Sequence, residues 1–174
     1  KKTLEIWGAM LNASGGPTFG EMLGDGKRFR ALPEFLRLLM GRSPHTFPAI
    51  ALAALERIPK WMPKRAIKAI QLGAELKAEL RREIGLNGVM LYPSYPFPAP
   101  RHHVPMLYTF HWMYTPILNV MEMPSTQTPL GLNQQGLPLG VQVASLPGND
   151  HLTIAVALEL ERAFGSWVPP ALAS

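Results

Sequence analysis

No cysteine occurs in the 174 residues, which removes disulfides, thiolate metal sites and a cysteine nucleophile together. Long hydrophobic runs are missing too: none approaches the roughly 18 residues of a membrane-spanning helix. The start, Lys1-Lys2-Thr3, carries no initiator methionine and no signal-peptide core, as expected of a piece of a longer chain. Charge is sparse, at 17% of residues, with 17 Lys and Arg against 12 Asp and Glu. The basic residues fall in small groups, Lys27, Arg28 and Arg30 and then Lys64, Arg65 and Lys68, without zinc-finger spacing or a basic groove interleaved with aromatics. They read as a solvated basic face, and no nucleic-acid partner is expected.

What the chain does have is apolar content, 47%, enough for one domain with a real core. TLEIWGAMLN (3–12) predicts a short helix, stopped at Ser14-Gly15-Gly16-Pro17. LPEFLRLLM (32–40) and FPAIALAAL (47–55) predict two apolar helices, each with a proline near its first turn, joined by the turn GRSPH into a helical hairpin. So few charges interrupt them that a buried core and a lipid- or partner-facing cap are both open readings. Residues 63–84 predict the clearest helix: Ala66, Ala69, Leu72, Gly73, Leu76, Leu80 and Ile84 recur at helical spacing, and Gly85 stops it. Val89-Met90-Leu91-Tyr92 then predicts a short, fully buried strand.

PSYPFPAPRHHVP (93–105) holds five prolines and predicts a loop over a surface or along a pocket, with Tyr95 and Phe97 among the prolines. TFHWMYTPILNVMEM (109–123) predicts a helix broken or bent near Pro116. PSTQTPLG and GLPLGVQVAS predict two strands about the turn Asn133-Gln134-Gln135-Gly136, and NDHLTIAVALELERAFG a last helix capped by Asn149 or Asp150 and closed by Gly165.

Few residues point to chemistry by themselves. His102 and His103 are adjacent in an extended loop and so face opposite ways, and His111 follows eight residues on, which makes a poor metal site. No serine lies in Gly-x-Ser-x-Gly, and Ser14-Gly15-Gly16 lacks the strand-to-helix setting of a nucleophile or phosphate loop. Pro93-Ser94-Tyr95-Pro96 meets the minimal PxxP spacing but reads better as packing against its own chain. No metal or other cofactor is expected.

The run Thr115-Pro-Ile-Leu-Asn119 through Pro124, then GLPLGVQV (136–143), Asn149-Asp150 and the final helix, resembles the carboxy-terminal region of amidase signature enzymes. A narrower likeness, to the fatty-acid amide hydrolases among them, extends through PTFGEMLGDG, the apolar helical pair and LYPSYPFPAPRHHVP, from about Leu4 to Val168. The resemblance implies an α/β fold: the carboxy-terminal part of a mixed sheet packed between helices. One domain then spans 1–174, with a helical cap region at 17–62 and sheet strands plus terminal helix at 86–174.

It also implies hydrolysis of carboxamides through a Ser-Ser-Lys triad, in which a lysine takes a proton through a bridging serine and a second serine attacks the carbonyl. Neither the glycine- and serine-rich stretch nor the strand-borne lysine of that triad is present here, so no catalytic residue is carried over and this chain alone is expected to be inactive. Met121-Glu122-Met123 stands where the family has small residues. By position, the resemblance places Phe110, Trp112, Tyr114, Thr115, Asn119 and Thr126 near the acyl pocket, and Leu36 and Leu39 on a membrane-facing cap. The implied partners are a lipophilic amide substrate, the amino-terminal part of the same enzyme, a membrane surface and a second copy in a homodimer. The cytoplasm or a membrane periphery is the expected location. Two alternatives stay open: an amidase-derived module that has lost its chemistry and binds a membrane or protein, and an unrelated small α/β domain.

Overall fold

The computed structural model describes residues 2–27, 29–56, 62–102, 104–108, 111–165, 167 and 169. The chain divides into two compact units, Lys1–Glu75 and Leu76–Ser174.

The first unit is helical. It holds α1 (Lys2–Ala13), α2 (Phe19–Leu23), α3 (Ala31–Leu39), α4 (Phe47–Leu55) and the first part of α5 (Pro63–Ile84). The bounds predicted for α4 and α5 are those observed. α2, for which the sequence reading gives no helix, opens on a local signature: in Thr18-Phe-Gly-Glu21 the Thr18 hydroxyl accepts from the Glu21 amide while the Glu21 carboxylate accepts from the Thr18 amide, a capping box. Glu56, just past α4, reinforces it by accepting the amides of Phe19 at 2.8 Å and Gly20 at 3.2 Å. These are two of the donors a helix start leaves without partners.

α3 and α4 pack together as the predicted hairpin. Phe29, Ile50 and Ala53 form its buried centre, flanked by Phe19, Phe35 and Leu38. Each large side chain buried this way stabilises the fold by about 1.5–3 kcal/mol. The opposite side of α3 stays bare: Leu36 is 52% exposed and Leu39 70%.

In the second unit β3 (Pro138–Ala144) lies between β1 (Met90–Tyr92) and β2 (Ser125–Leu132), antiparallel to both. Asn133 makes the β2–β3 turn. Its Oδ1 accepts from the amides of Gln135 and Leu137, each at 2.9 Å, and Gly136 takes a positive φ there. Alternation puts Leu91, Val141, Val143, Thr126 and Thr128 on one face of the sheet. The row Tyr92, Gln142 and Gln127, in register across all three strands, lies on the other. Gly140 is required by close approach: a Cβ there would stand 2.8 Å from the Thr128 carbonyl oxygen and collide with the Gln127 amide.

The last helix, α8 (Asp150–Phe164), covers β2 and β3. It is pinned through two threonines. The Thr153 hydroxyl donates to the Asp150 carbonyl at 2.8 Å, so at the 2.9 Å contact between the hydroxyls Thr126 donates to Thr153.

Three expectations change and one is narrowed. Val89–Tyr92 is not fully buried, because α8 lies over β2 and β3 and leaves Leu91 on the edge strand 54% exposed. The proline loop ends in one helical turn, α6 (Val104–Leu107), where Pro105 needs no donor. Of the two outcomes expected over 109–123, a break or a bend, the structure has the break: a 3₁₀ turn (His111–Tyr114) is followed by α7 (Pro116–Val120), because Pro116 can open a helix but not continue one. Asn149 occupies the N-cap position of α8 without capping it: its side chain donates instead to the Leu86 carbonyl at 2.7 Å and the Ser145 hydroxyl at 3.2 Å. Among the described residues no helix is long and apolar enough to cross a membrane.

Candidate functional site

In the first unit, α1, α2, α4 and the start of α5 surround a cleft of about 520 Å³, within the range of small-molecule sites. Its lining is oily: Leu4, Trp7, Leu11, Phe19, Met22, Leu52, Leu55 and Met62 supply most of it. The charged groups along it are engaged with one another or with backbone. Arg65 donates to Glu5 through two nitrogens; this hydrogen bond holds the Glu5 carboxyl below its ordinary range and the Arg65 guanidinium above its own. Glu56 is committed to the α2 start, and Asn12 donates to the carbonyls of Gly8 and Glu56. The cleft can therefore receive an apolar ligand, and none of its charged side chains is left free for proton transfer.

The second unit carries the residues singled out from sequence. Phe110 lies outside the described residues. Trp112 and Tyr114 are half-buried on the 3₁₀ turn, and the Tyr114 ring sits 5.8 Å from that of Tyr92. Burial first, and Tyr114 second, push the Tyr92 phenol above its ordinary pKa. Thr115 and Asn119 are exposed; the Thr115 hydroxyl donates back to the Trp112 carbonyl at 3.1 Å. Thr126 sits apart from the aromatic pair, since its hydroxyl is turned to α8 whereas Tyr92, with Tyr114 against it, belongs to the opposite set of the sheet's alternation. Leu36 and Leu39 are in the other unit, exposed on α3.

Two groupings are not anticipated by the sequence reading. Tyr108 stacks on His111 with ring centres 5.0 Å apart, and Tyr95 and Phe97 meet the same imidazole edge-on at 5.9 and 5.1 Å. The proline loop thus packs on its own chain. The second grouping is the polar row Tyr92, Gln142 and Gln127. Its signal lies in Val141-Gln142-Val143, where alternation sets a glutamine opposite two core valines.

An α/β fragment with an oily cleft in one unit and a sheet carrying buried polar groups in the other fits a known class. The family model for Amidase matches residues 50–154, more than half of the chain, and the chain belongs to the amidase family. It is similar over 98% of its length to fatty-acid amide hydrolase 2 of Homo sapiens, at 43% identity, and to the fatty-acid amide hydrolases 2-B and 2-A of Danio rerio, at 41% and 40%. It covers 33% of each of those proteins, so it spans about a third of the length of the curated relatives it matches. No solved structure matches the chain.

Proposed function

We propose that this chain is the carboxy-terminal portion of a serine amidohydrolase that cleaves lipophilic carboxamides, with its Ser-Ser-Lys triad supplied by residues outside these 174. The observation that carries the lipophilic substrate is the cleft of about 520 Å³. Its walls are aliphatic, aromatic and thioether side chains, and its charged groups are already hydrogen-bonded to one another or to backbone, so it favours a ligand that brings apolar surface and no charge. Relatives whose names specify fatty-acid amides support the same reading.

The test uses the complete enzyme together with this chain alone. The complete enzyme hydrolyses acyl amides with kcat/KM rising with acyl length, and a fluorophosphonate labels it; the isolated chain is neither active nor labelled. Leu52→Arg, which puts a charge into the cleft, lowers kcat/KM for long-chain amides by about tenfold or more and spares short-chain ones. Equal losses at all chain lengths, or hydrolysis by the 174 residues alone, overturn the reading.

The bare ridge of Leu36 and Leu39 on α3 supports a second element, contact of this helix with a membrane surface. Replacing both leucines by glutamate then abolishes flotation of the complete enzyme with anionic vesicles and leaves its activity on a soluble short-chain amide unchanged. Unaltered flotation removes the membrane element and leaves the amidase reading standing.

A further inference from the structure

The oily cleft of the first unit carries two thioethers. Met22 on α2 and Met62 just before α5 both line it, and both reach solvent, at 58% and 46% exposure. Exposure alone does not set them apart: Met40, at the end of α3, is 59% exposed but is no part of the cleft. Met113 and Met123 are buried, and Met121 is 1% exposed. With no cysteine among the 174 residues, thioethers are the chain's readiest targets for a two-electron oxidant. Met22 and Met62 join access to a place in the wall of a ligand cleft.

A substrate cleft keeps these two reachable in the complete enzyme, because an opening that admits an acyl chain admits hydrogen peroxide, a far smaller molecule. Oxidation then changes the wall. A thioether is flexible, polarisable and apolar, and moulds to an acyl chain. A sulfoxide carries a strongly dipolar oxygen, which water solvates in the empty cleft and a bound chain strips bare. Two polar side chains of the lining that could answer it are already committed: Arg65 is held by Glu5, and Asn12 Nδ2 donates to the carbonyls of Gly8 and Glu56. The sulfoxide therefore opposes a ligand the more, the longer the apolar chain laid against it.

We propose that Met22 and Met62 form an oxidation site that controls the entry of lipophilic amides into the cleft. This rests on the amidase reading above. The oxidant is hydrogen peroxide. The thioether sulfur attacks one peroxide oxygen, so that an S–O bond forms as the O–O bond breaks. The sulfur is oxidised by two electrons, the peroxide is reduced, and its other oxygen leaves with both protons as water. A thiol-dependent sulfoxide reductase reverses the step: the S–O bond breaks, water is released and two thiols of the reductase become a disulfide. The wall of the cleft is changed and the reacting groups are not, so the effect falls on KM.

The test treats the complete enzyme with limiting hydrogen peroxide, locates the added oxygen by peptide mass spectrometry and compares each protein with itself before and after treatment. Met22 and Met62 are expected to gain oxygen ahead of Met121 and Met123. KM for a long-chain amide rises about tenfold while that for a short-chain amide moves by less than about twofold. Methionine sulfoxide reductase with dithiothreitol brings KM back. In the double variant Met22→Leu, Met62→Leu, which conserves apolar volume, the same treatment leaves KM within about twofold, whereas Met40→Leu responds as the unaltered enzyme does. The assignment is overturned if peroxide leaves Met22 and Met62 unmodified, raises KM equally for short and long chains or for neither, or inhibits the double variant as strongly. An unaltered enzyme that hydrolyses no lipophilic amide defeats the amidase reading instead. The site is then read by binding of a pyrene-labelled long-chain alcohol: peroxide weakens it in the unaltered protein and not in the double variant if the assignment holds, and alters both equally or neither if it does not.

Discussion

The two units bury different things. In the second, Val143, Ala144 and Ser145 are sealed completely, and Met121, Thr128 and Thr153 nearly so; hydroxyls stand among its apolar groups, and those of Ser145 and Thr153 tie a loop and α8 to the sheet. In the first, the most enclosed side chains are Ala53, Ile50, Ala9 and Ala69, small or aliphatic, while a wide oily cleft stands open beside them. A core tied by directional bonds fixes positions and tolerates little change. A core of nondirectional contacts around a cleft can yield to ligands of varied length. On the function proposed above, the contrast divides the labour between a rigid sheet and a compliant helical unit whose cleft would take an apolar chain.

One substitution made in both units tests this. At Gly140 an added methyl would stand 2.8 Å from the Thr128 backbone oxygen, which the β2–β3 pairing holds in place. Gly140→Ala is therefore expected to destabilise by about 2–3 kcal/mol. At Gly73 the nearest atoms are the Met10 sulfur at 2.5 Å, in a flexible side chain, and an Ile6 methyl at 3.0 Å, side chains rather than backbone. The gain of about 1 kcal/mol from replacing a helix-interior glycine offsets the push, so Gly73→Ala is expected to change stability by less than about 1 kcal/mol. Urea unfolding of both variants measures this. Equal costs would mean that the helical unit is packed as rigidly as the sheet, and the division of labour would fail.

The next effects concern the second unit's hydroxyls. Ser145 donates to the Gly88 carbonyl at 2.7 Å and accepts from Asn149, so Ser145→Ala removes two part-buried hydrogen bonds and should destabilise by about 1 kcal/mol. Thr128 has the opposite sign. Its hydroxyl is buried with no partner among the described residues, and Thr128→Val, nearly the same shape, is expected to stabilise by about 1 kcal/mol. Thermal unfolding that moved the same way for both would show that counting hydrogen bonds misjudges this core.

Legibility in the sequence divides along a related line. Features set by neighbours in the chain are readable: α4 and α5 because proline, glycine and helical spacing act within a few residues, and the hairpin because Asn133 and Gly136 act inside their own turn. What depends on distant packing is not. Whether Leu91 is covered depends on how far α8 reaches across the sheet. Asn149 or Asp150 is expected from sequence to cap α8, but the Leu86 carbonyl, 63 positions back in the chain, claims the Asn149 side chain. Of the candidate site, the aromatic residues near 112–114 stand out by resemblance. The rings gathered on His111 do not stand out, because Tyr95, Phe97 and Tyr108 reach that imidazole from a proline loop whose course no local pattern fixes.

The smallest expected effect lies on the surfaces, where the units ought not to differ. Arg65 beside Glu5, Arg37 beside Glu34 and Lys77 beside Glu122 each hold the carboxyl below its ordinary value of 4.5. The folded chain thus binds these protons more weakly than the unfolded chain does. Their contribution is fully present above the ordinary value and is lost as pH falls through the lowered one. Stability should be level on this account from neutrality to about pH 5 and decline below it, less steeply in about 1 M salt, where exposed pairs are screened. Glu122 adds a conflict within one residue, because its backbone takes φ +58°, a conformation that favours glycine. Glu122→Gly relieves that strain at every pH but forfeits the ion pair only where the carboxyl is charged. Its melting temperature relative to the unaltered chain is therefore expected to be higher at pH 3 than at pH 7, and a difference independent of pH would show that the pair with Lys77 contributes nothing.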